Sequence, residues 1–324
     1  MAKAIIFERP GGPSVLKYKD INVKKPGFGE ALVENHVIGL NFIDTYHRSG
    51  LYPLPLPSGL GLEASGVVLS IGDGVSEVKV GDKVAYAGGP PGAYSSQRII
   101  PAHRLVKVPA KIPHDTAAAM MLKGLTVWYL IKKVYQVQRG ETVLFHAAAG
   151  GVGLIACQWL KSLGVKVIGT VGSDEKAKLA KKFGCTHTIN YNKEKFKDRV
   201  LEITNGKKVP VVFDSVGKDT FSDSLDCLMP RGLMCVFGNG SGPVAPFDPN
   251  ILAGKGSLYV TRPTLMTYVA QRKDLVEGAK EIFSVVGSKK VKIEIKQRYE
   301  LRDAAQAHID LEARKTSGST VFKI

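Results

Sequence analysis

The sequence predicts an α/β fold, a parallel sheet covered by helices on both faces and joined to a mainly-β portion. Three observations predict it. From Arg139 onward, apolar runs of strand length alternate with helical ones. Over the first hundred or so residues the runs are short, closely spaced and broken by Gly and Pro. Between the two textures, near Thr116, lies a long stretch of helix formers. A chain of 324 residues is long enough for two domains.

The elements follow in order. "KAIIF", "EALVENHVIGL", "ASGVVLSIG", "DKVAYAG" and "SSQRIIPAHRLVKVP" read as strands with no long helical pattern among them, as in an irregular antiparallel barrel. "DTAAAMMLKGLTVWYLIKKVYQV" is apolar on a helical period and reads as one helix leading into a second unit. The alternation then begins: strand "ETVLFHA", helix "GLIACQWLKSLG", strand "KVIGTVG", helix "DEKAKLAKKFG", a short strand at "THTIN", helix "EKFKDRVLEITNG". Strand "VPVVFDSVG", helix "DTFSDSLDCLM" and strands "GLMCVFGN" and "GSLYVT" complete it, and this order predicts a parallel sheet. After Pro263 come one helix, "TLMTYVAQRKDLVEGAKEIFSVV", then a strand, a helix and the terminal strand "STVFKI".

Composition narrows the function classes. Hydrophobic content of 44% and charged content of 23% are ordinary for a globular protein. No apolar run approaches bilayer-spanning length, and Met1-Ala2-Lys3 leads into "AIIFERPGG" without a secretory signal, so no membrane association and a cytoplasmic location are expected. The four cysteines, Cys157, Cys185, Cys227 and Cys235, are far apart and form no CxxC pair, which argues against disulfides and a structural metal. The net charge of +16 is carried by scattered lysines without aromatic interleaving, the pattern of a solvated surface rather than of nucleic-acid recognition.

The clearest motif is the turn Ala148-Ala149-Gly150-Gly151-Val152-Gly153, set between the strand "TVLFH" and an apolar helix. Aligned to G-x-G-x-x-G, Ala148 takes the first glycine's place, and Gly150 and Gly153 hold the second and third. Gly150 lets the backbone approach a pyrophosphate, Gly153 lets the helix pack on the strand, and the helix's first amides face the phosphates. Strand, turn, helix and second strand stand in register, so the turn reads as a dinucleotide site.

An NAD site places an acidic residue on the ribose 2′-hydroxyl about 20 positions on. Here the second strand ends in Gly172-Ser173, with Lys176 just beyond. A small hydroxyl residue and a lysine suit a 2′-phosphate, so NADP(H) is the expected cofactor. Asp174 and Glu175 serve the next helix's N-terminus.

Four segments together, "GLNFIDTYHRSGLY", "PSGLGLEASGVV", "HAAAGGVG" and "YVTRP", resemble the zinc-independent quinone oxidoreductase branch of the medium-chain dehydrogenase/reductase superfamily. The resemblance covers essentially the whole chain. It implies a GroES-like catalytic domain built from residues 1–123 and 263–324, a Rossmann NADP-binding domain at 124–262, and a homodimer. Metal-dependent members carry a cysteine where this chain has Asn41 and a histidine where it has Leu62. Leu62 cannot ligate a metal, a catalytic zinc needs three protein ligands, and His36 and His47 lack supporting spacing, so no metal is expected.

Without a Lewis acid, an unactivated ketone would leave its developing alkoxide poorly stabilised. A quinone needs less help because reduction makes its ring aromatic. The expected reaction is therefore NADPH-dependent quinone reduction, and reduction of an enone or enal is the alternative. An RNA-binding or crystallin-like role, known for related proteins, is the alternative from another class. By resemblance, Asn41, Tyr46, Tyr52, Thr126 and Arg262 line the catalytic site. Phe42, Ile43, Asp44, Thr45 and Tyr46 border the nicotinamide end with Tyr129, while Lys176 and Tyr191 take the adenosine phosphate. Val216, Phe237, Gly238, Asn239 and Gly240 line the ribose–nicotinamide channel, and Arg314 reaches in from the tail. No dedicated proton donor is identifiable.

Overall fold

The short N-terminal runs are strands: β1 (Ala2–Phe7), β2 (Lys17–Ile21), β3 (Glu30–Leu40), β4 (Ser58–Gly59), β5 (Glu63–Ile71), β6 (Lys83–Ala87), β7 (Gln97–Pro101) and β8 (Val106–Lys107). One helix interrupts them, α1 (Phe42–Ser49), in a segment whose run pattern predicts none. Its limits are chemical. The Asn41 backbone N–H donates to the Asp44 carboxylate at 2.9 Å, and Gly50 ends the helix at φ 85. An acidic side chain three residues after the cap and a left-handed glycine after the last turn are the ordinary start and stop of a helix.

The structure is a computed structural model that describes residues 1–324, and contacts divide the chain into two units. Unit one comprises Met1–Leu125, Tyr268–Ser288 and Ile293–Ile324, and unit two Thr126–Thr267 and Lys289–Lys292. The first boundary falls inside α2 (His114–Tyr129), against 123/124 from the resemblance, and the second at 267/268, against 262/263. The long helix expected across this region ends earlier than its pattern predicts. After α2 the turn widens to a π-helix at Leu130–Val134 and stops at Tyr135, whose backbone is extended.

In unit two the alternation is realised as β9 (Thr142–Phe145), α3 (Gly151–Ser162), β10 (Lys166–Val171), α4 (Asp174–Lys182), β11 (His187–Asn190), α5 (Phe196–Ile203), β12 (Val209–Asp214), α6 (Phe221–Asp226), β13 (Leu228–Val236), α7 (Asn250–Gly254) and β14 (Tyr259–Thr261). The six strands are all parallel in the order β11-β10-β9-β12-β13-β14. That is the doubly wound arrangement, in which the order reverses between β9 and its two neighbours and ligands bind beyond the carboxyl ends of the strands. One boundary departs from expectation. "CLM" was expected to close α6, but Leu228 and Met229 already belong to β13, because Pro230 cannot continue a helix and Leu228 pairs with Val209.

The remaining elements are α8 (Leu265–Tyr268), α9 (Arg272–Gly287), β15 (Ile295–Glu300), α10 (Ala304–Glu312) and β16 (Ser319–Lys323). The single helix expected after Pro263 is thus two. Gln271 is extended, and the Val269 carbonyl at the break accepts from the Arg104 guanidinium at 3.1 Å. β16 and β15 close unit one's larger sheet, ordered β15-β16-β3-β5-β6-β8 with β7 also on β3, and a small sheet β2-β1-β4 accompanies it. Each unit has its own apolar core. Phe7, Ile38, Tyr94 and Phe322 anchor one, and Leu144, Ile168, Val212 and Met234 the other. Full burial of such a side chain stabilises by about 1.5–3 kcal/mol. All four cysteines are buried free thiols.

Candidate active site

Of the residues expected to hold a dinucleotide, Gly150–Gly153, Gly172, Ser173, Lys176, Tyr191, Val216 and Phe237–Gly240 follow the carboxyl ends of unit two's strands, whereas Phe42–Tyr46 and Arg314 belong to unit one and Tyr129 ends a helix. The turn after β9 is tight. Ala147 takes a left-handed φ of 54, Gly150 N–H donates to Ala147 O at 2.9 Å, and Ala148 N–H donates to Thr170 O at 3.0 Å. Beneath it the buried His146 ring bridges Thr170 Oγ1 and Ser224 Oγ, both at 2.9 Å, and burial lowers its pKa, so it stays neutral near pH 7. Ala148 fits in the first glycine's place because Gly169 lies opposite. A Cβ on Gly169 would come within 2.5 Å of the Ala148 methyl.

The two glycines of the turn answer different demands. A Cβ on Gly153 would meet Ala147 O at 2.5 Å and the Ala148 carbonyl at 2.6 Å, so the helix can approach the turn only without one. At Gly150 φ is −77, which any residue adopts, and an added Cβ would meet only Ala147 O, at 3.3 Å. Neither conformation nor protein packing requires a glycine there. Its bare Cα instead leaves room over the N-terminus of α3, where Gly151, Val152 and Gly153 carry the unpaired first-turn amides, and this suits a pyrophosphate.

The next strand ends carry the other expected residues. After β10, Ser173 caps α4, its Oγ accepting from Lys176 N–H at 3.2 Å. The Tyr191 hydroxyl after β11 lies over Gly172, 2.6 Å from where a Cβ would stand. Gly172, Ser173, Lys176 and Tyr191 are thus one cluster. Asp174 is turned to Asn190 and Lys193, at 2.8 and 2.6 Å. After β12, Val216 N–H donates to the buried Asp214 carboxylate at 2.7 Å. After β13, Phe237 N–H donates to Asp214 O, Gly238 packs on Ser215, and Gly240 N–H donates to Ser215 O, which fixes Asn239 between them. Arg262 follows β14 directly, exposed, with one N–H on Pro263 O at 3.2 Å. Thr126 and Tyr129, at the start of this unit, are both buried.

Unit one gathers a second constellation around Asn41. Its Nδ2 donates to Glu63 Oε2 at 2.8 Å and its Oδ1 accepts from Lys123 Nζ at 2.8 Å. The ammonium also reaches Glu63 Oε2 at 3.2 Å and Leu40 O at 3.1 Å. Gly39 makes room for this, since a Cβ there would fall 2.3 Å from Glu63 Oε2. Tyr46 and Tyr52 stack edge to face, 5.2 Å between centroids, and Phe42 packs on Tyr46 at 5.6 Å. Ile43 is half-buried, and the Thr45 hydroxyl is spent on Phe42 O at 2.7 Å.

Asp44 is wholly buried. Its Oδ2 accepts from Asn41 N–H and from Tyr94 Oη at 2.8 Å, and its Oδ1 has no partner. Burial pushes this carboxyl up to about 7 against the pull of its two hydrogen bonds and of Lys123. Behind it, Tyr94 Oη lies 3.2 Å from His308 Nε2, and His308 Nδ1 lies 3.0 Å from Arg48, which forks onto Glu312 at 2.8 and 3.0 Å. Burial, aided by Arg48, holds the His308 ring down to about 3. Since Arg48 only donates, Nδ1 accepts, Nε2–H donates to Tyr94, and Tyr94 donates to Asp44.

Arg314 is exposed in the loop after α10, at φ 58. The sequence reading missed Lys123, Tyr94, Arg48 and His308. Only Lys123 leaves a mark in the sequence, as a lone charge inside the apolar run "AAAMMLKGLTVW". Leu62, in the other position where metal-dependent relatives carry a ligand, is buried and apolar, and no three His, Cys, Asp or Glu side chains converge in a metal-holding group.

Comparison with known proteins agrees with this architecture. Residues 27–110 match the alcohol dehydrogenase GroES-like domain, and residues 151–281 match the zinc-binding dehydrogenase domain. A quinone oxidoreductase of Pseudomonas aeruginosa is 56% identical, the match covering 99% of each chain. A crystal structure of Escherichia coli quinone oxidoreductase complexed with NADPH is 52% identical with a TM-score of 0.98, over 99% of this chain and 100% of that one. A 2-haloacrylate reductase of a Burkholderia species is 43% identical, again over 99% of each. The chain belongs to the quinone oxidoreductase family of the medium-chain dehydrogenase/reductase superfamily.

Proposed function

We propose that this chain is an NADPH-dependent quinone reductase that works without a metal. One observation carries the reading. The six strands are parallel and doubly wound, and Gly150 beyond β9 carries a bare Cα that neither conformation nor packing demands, which supports a pyrophosphate there. When bound, NADPH supplies a hydride or an electron from nicotinamide C4. The chain's part is to hold and orient. The first amides of α3 take the pyrophosphate, and Lys176 with Tyr191 and the Gly172–Ser173 tip takes the 2′-phosphate. Phe237–Gly240, Val216 and Arg262 line the nicotinamide side.

For the acceptor, the Tyr46–Tyr52 pair offers aromatic faces to a flat ring, and the Asn41 carboxamide offers a donor to its oxygen. Holding a reactant in place converts a bimolecular encounter into a unimolecular step, the largest saving open to a site without a Lewis acid. The family relationship supports a cytoplasmic homodimer, and β14 leaves a sheet edge with Tyr259 62% exposed where a second copy can pair. No helix is long and apolar enough to cross a membrane.

A panel of acceptors tests the reading. Benzoquinones and naphthoquinones should oxidise NADPH, simple ketones should not, and NADH should be at least about tenfold less efficient, as loss of a phosphate contact implies. The 2-haloacrylate reductase among the relatives favours a second reading, reduction of a conjugated carbonyl. Turnover with enals or haloacrylates and none with quinones would select it.

A further inference from the structure

We infer that Lys123 is a positioning residue of the reductase: with Glu63 it locks the Asn41 carboxamide in one orientation and strengthens it as a hydrogen-bond donor to the acceptor's carbonyl oxygen. This rests on the quinone-reductase reading.

The geometry is closed on every side but one. The three N–H bonds of Lys123 have three oxygens, Leu40 O at 3.1 Å, Asn41 Oδ1 at 2.8 Å and Glu63 Oε2 at 3.2 Å. Glu63 Oε1 accepts from Leu122 N–H at 2.7 Å, and its Oε2 accepts from Asn41 Nδ2 at 2.8 Å. An ammonium only donates and a carboxylate only accepts, so the two of them fix which end of the amide is oxygen. The flipped amide would set NH₂ against the ammonium and oxygen against the carboxylate. The Asn41 backbone is pinned as well, through Asp44 Oδ2 at 2.9 Å. What remains is the second Nδ2–H, which has only a long bond to Gly39 O, at 3.5 Å, the outer limit of a hydrogen bond.

Stability does not explain the arrangement. The Lys123 side chain is 7% exposed and that of Glu63 0%, and a buried ion pair seldom outweighs the desolvation of its charges. Apolar side chains of the same volume would hold α2 against β3 and β5 as well. The charge does have an electrostatic consequence. A cation on Oδ1 draws electron density from the amide nitrogen, and in a low-dielectric surrounding the remaining N–H becomes the stronger donor. Preorganised donors of this kind stabilise an oxygen that gains negative charge during reduction. With its three N–H bonds directed to Leu40 O, Asn41 Oδ1 and Glu63 Oε2, Lys123 acts on the acceptor only through Asn41.

The test uses the whole enzyme. In the wild type, the two Asn41 Nδ2–H resonances, assigned by their loss in Asn41→Leu, should be well separated and slow to exchange. Resonances at free-amide positions that exchange fast with water would overturn the assignment without any variant. Lys123→Met combined with Glu63→Gln removes both charges and strands neither. It should keep its NADPH Kd and its KM for a naphthoquinone within about threefold, lower kcat at least about thirtyfold, and move the Asn41 resonances toward a free amide. In an Asn41→Leu background the same two substitutions should lower kcat no further, because Lys123 acts through that residue. A folded double variant with kcat within threefold of wild type, or with unmoved Asn41 resonances, would overturn the inference. A wild type that oxidises NADPH with no quinone overturns the functional reading instead, and the resonances then decide on Lys123 alone.

Discussion

The turn at Ala147–Gly153 and the cluster around Asn41 are built on opposite principles. The turn is backbone, held by amide-to-carbonyl bonds and by the absence of a side chain at Gly153, with a bare Cα at Gly150 facing the ligand's side. The Asn41 cluster is side-chain charge taken out of water, Glu63, Lys123 and Asp44 with Tyr94 and His308 behind them. A backbone site is limited by volume, because a misplaced methyl group has nowhere to go in a close-packed interior. A buried charge cluster is limited by protonation, because each proton gained or lost changes what its neighbours tolerate. The two should therefore fail in different ways.

The largest effect is expected where volume is the limit. Gly153→Val places a branched side chain 2.5 Å from Ala147 O, and backbone has to move. Overpacking of this kind should destabilise by about 3 kcal/mol and abolish NADPH binding together with it. Gly150→Ala meets a single contact at 3.3 Å and should stay within about 1 kcal/mol of wild-type stability while the NADPH Kd rises at least about tenfold. Urea unfolding and a fluorescence titration on both variants read the difference. Equal losses of stability would mean that both glycines serve only the fold.

The same contrast explains what could be read in advance. The turn is contiguous, and its strand, glycines and helix carry their meaning within some twenty residues, so motif and neighbours were legible together. The alternation of unit two was legible for the same reason, since each element signals its own period. Asn41 was legible only as part of a family pattern. Its partners Glu63 and Lys123 come from β5 and α2, and Tyr94, which bonds Asp44, comes from between β6 and β7, all brought in by the register of unit one's sheet. Nothing local in "EASGVV" or "GAYSS" announces that Glu63 or Tyr94 will meet α1. Helix α1 itself was missed because eight residues give too little periodicity, although Asn41, Asp44 and Gly50 marked both its ends. The break between α8 and α9 had no such mark, because the Arg104 that takes the Val269 carbonyl is distant in sequence.

Asp44 supplies the test of the protonation limit. Burial raises its folded pKa to about 7 from an ordinary 3.8, with Tyr94, the Asn41 N–H and Lys123 pulling down and Glu63 pushing up. A carboxyl whose pKa is raised by folding contributes stability that is complete below the unfolded value and is lost as pH rises through the folded one. Between pH 5 and pH 8 the wild type should lose about 2.6 kcal/mol on this account. Asp44→Asn cannot ionise, and its amide oxygen can still accept from Tyr94 and Asn41. The variant should therefore gain on the wild type by about that amount from pH 5 to pH 8. Taking the difference between the two proteins at each pH removes the separate titration of His308, which lies near 3. A gap that does not change with pH would mean that Asp44 is charged in the folded protein throughout.

The smallest effect belongs at the 2′-phosphate corner, which combines both principles. Gly172 leaves space for Tyr191, a backbone device, while Lys176 offers a charge at the surface, half-buried and not sealed in. A charge in that setting is screened by salt and contributes modestly. Lys176→Ala should therefore raise the KM for NADPH about tenfold, about 1.4 kcal/mol, and that for NADH by less than twofold. The NADPH effect should shrink as salt rises toward 0.5 M, which a purely steric defect would not do. Equal effects on both nucleotides would remove Lys176 from the phosphate. The preference for NADPH would then have to lie in Tyr191 and the Gly172–Ser173 tip, because Asp174, held by Asn190 and Lys193, is turned away from the role an NAD-binding acid would play.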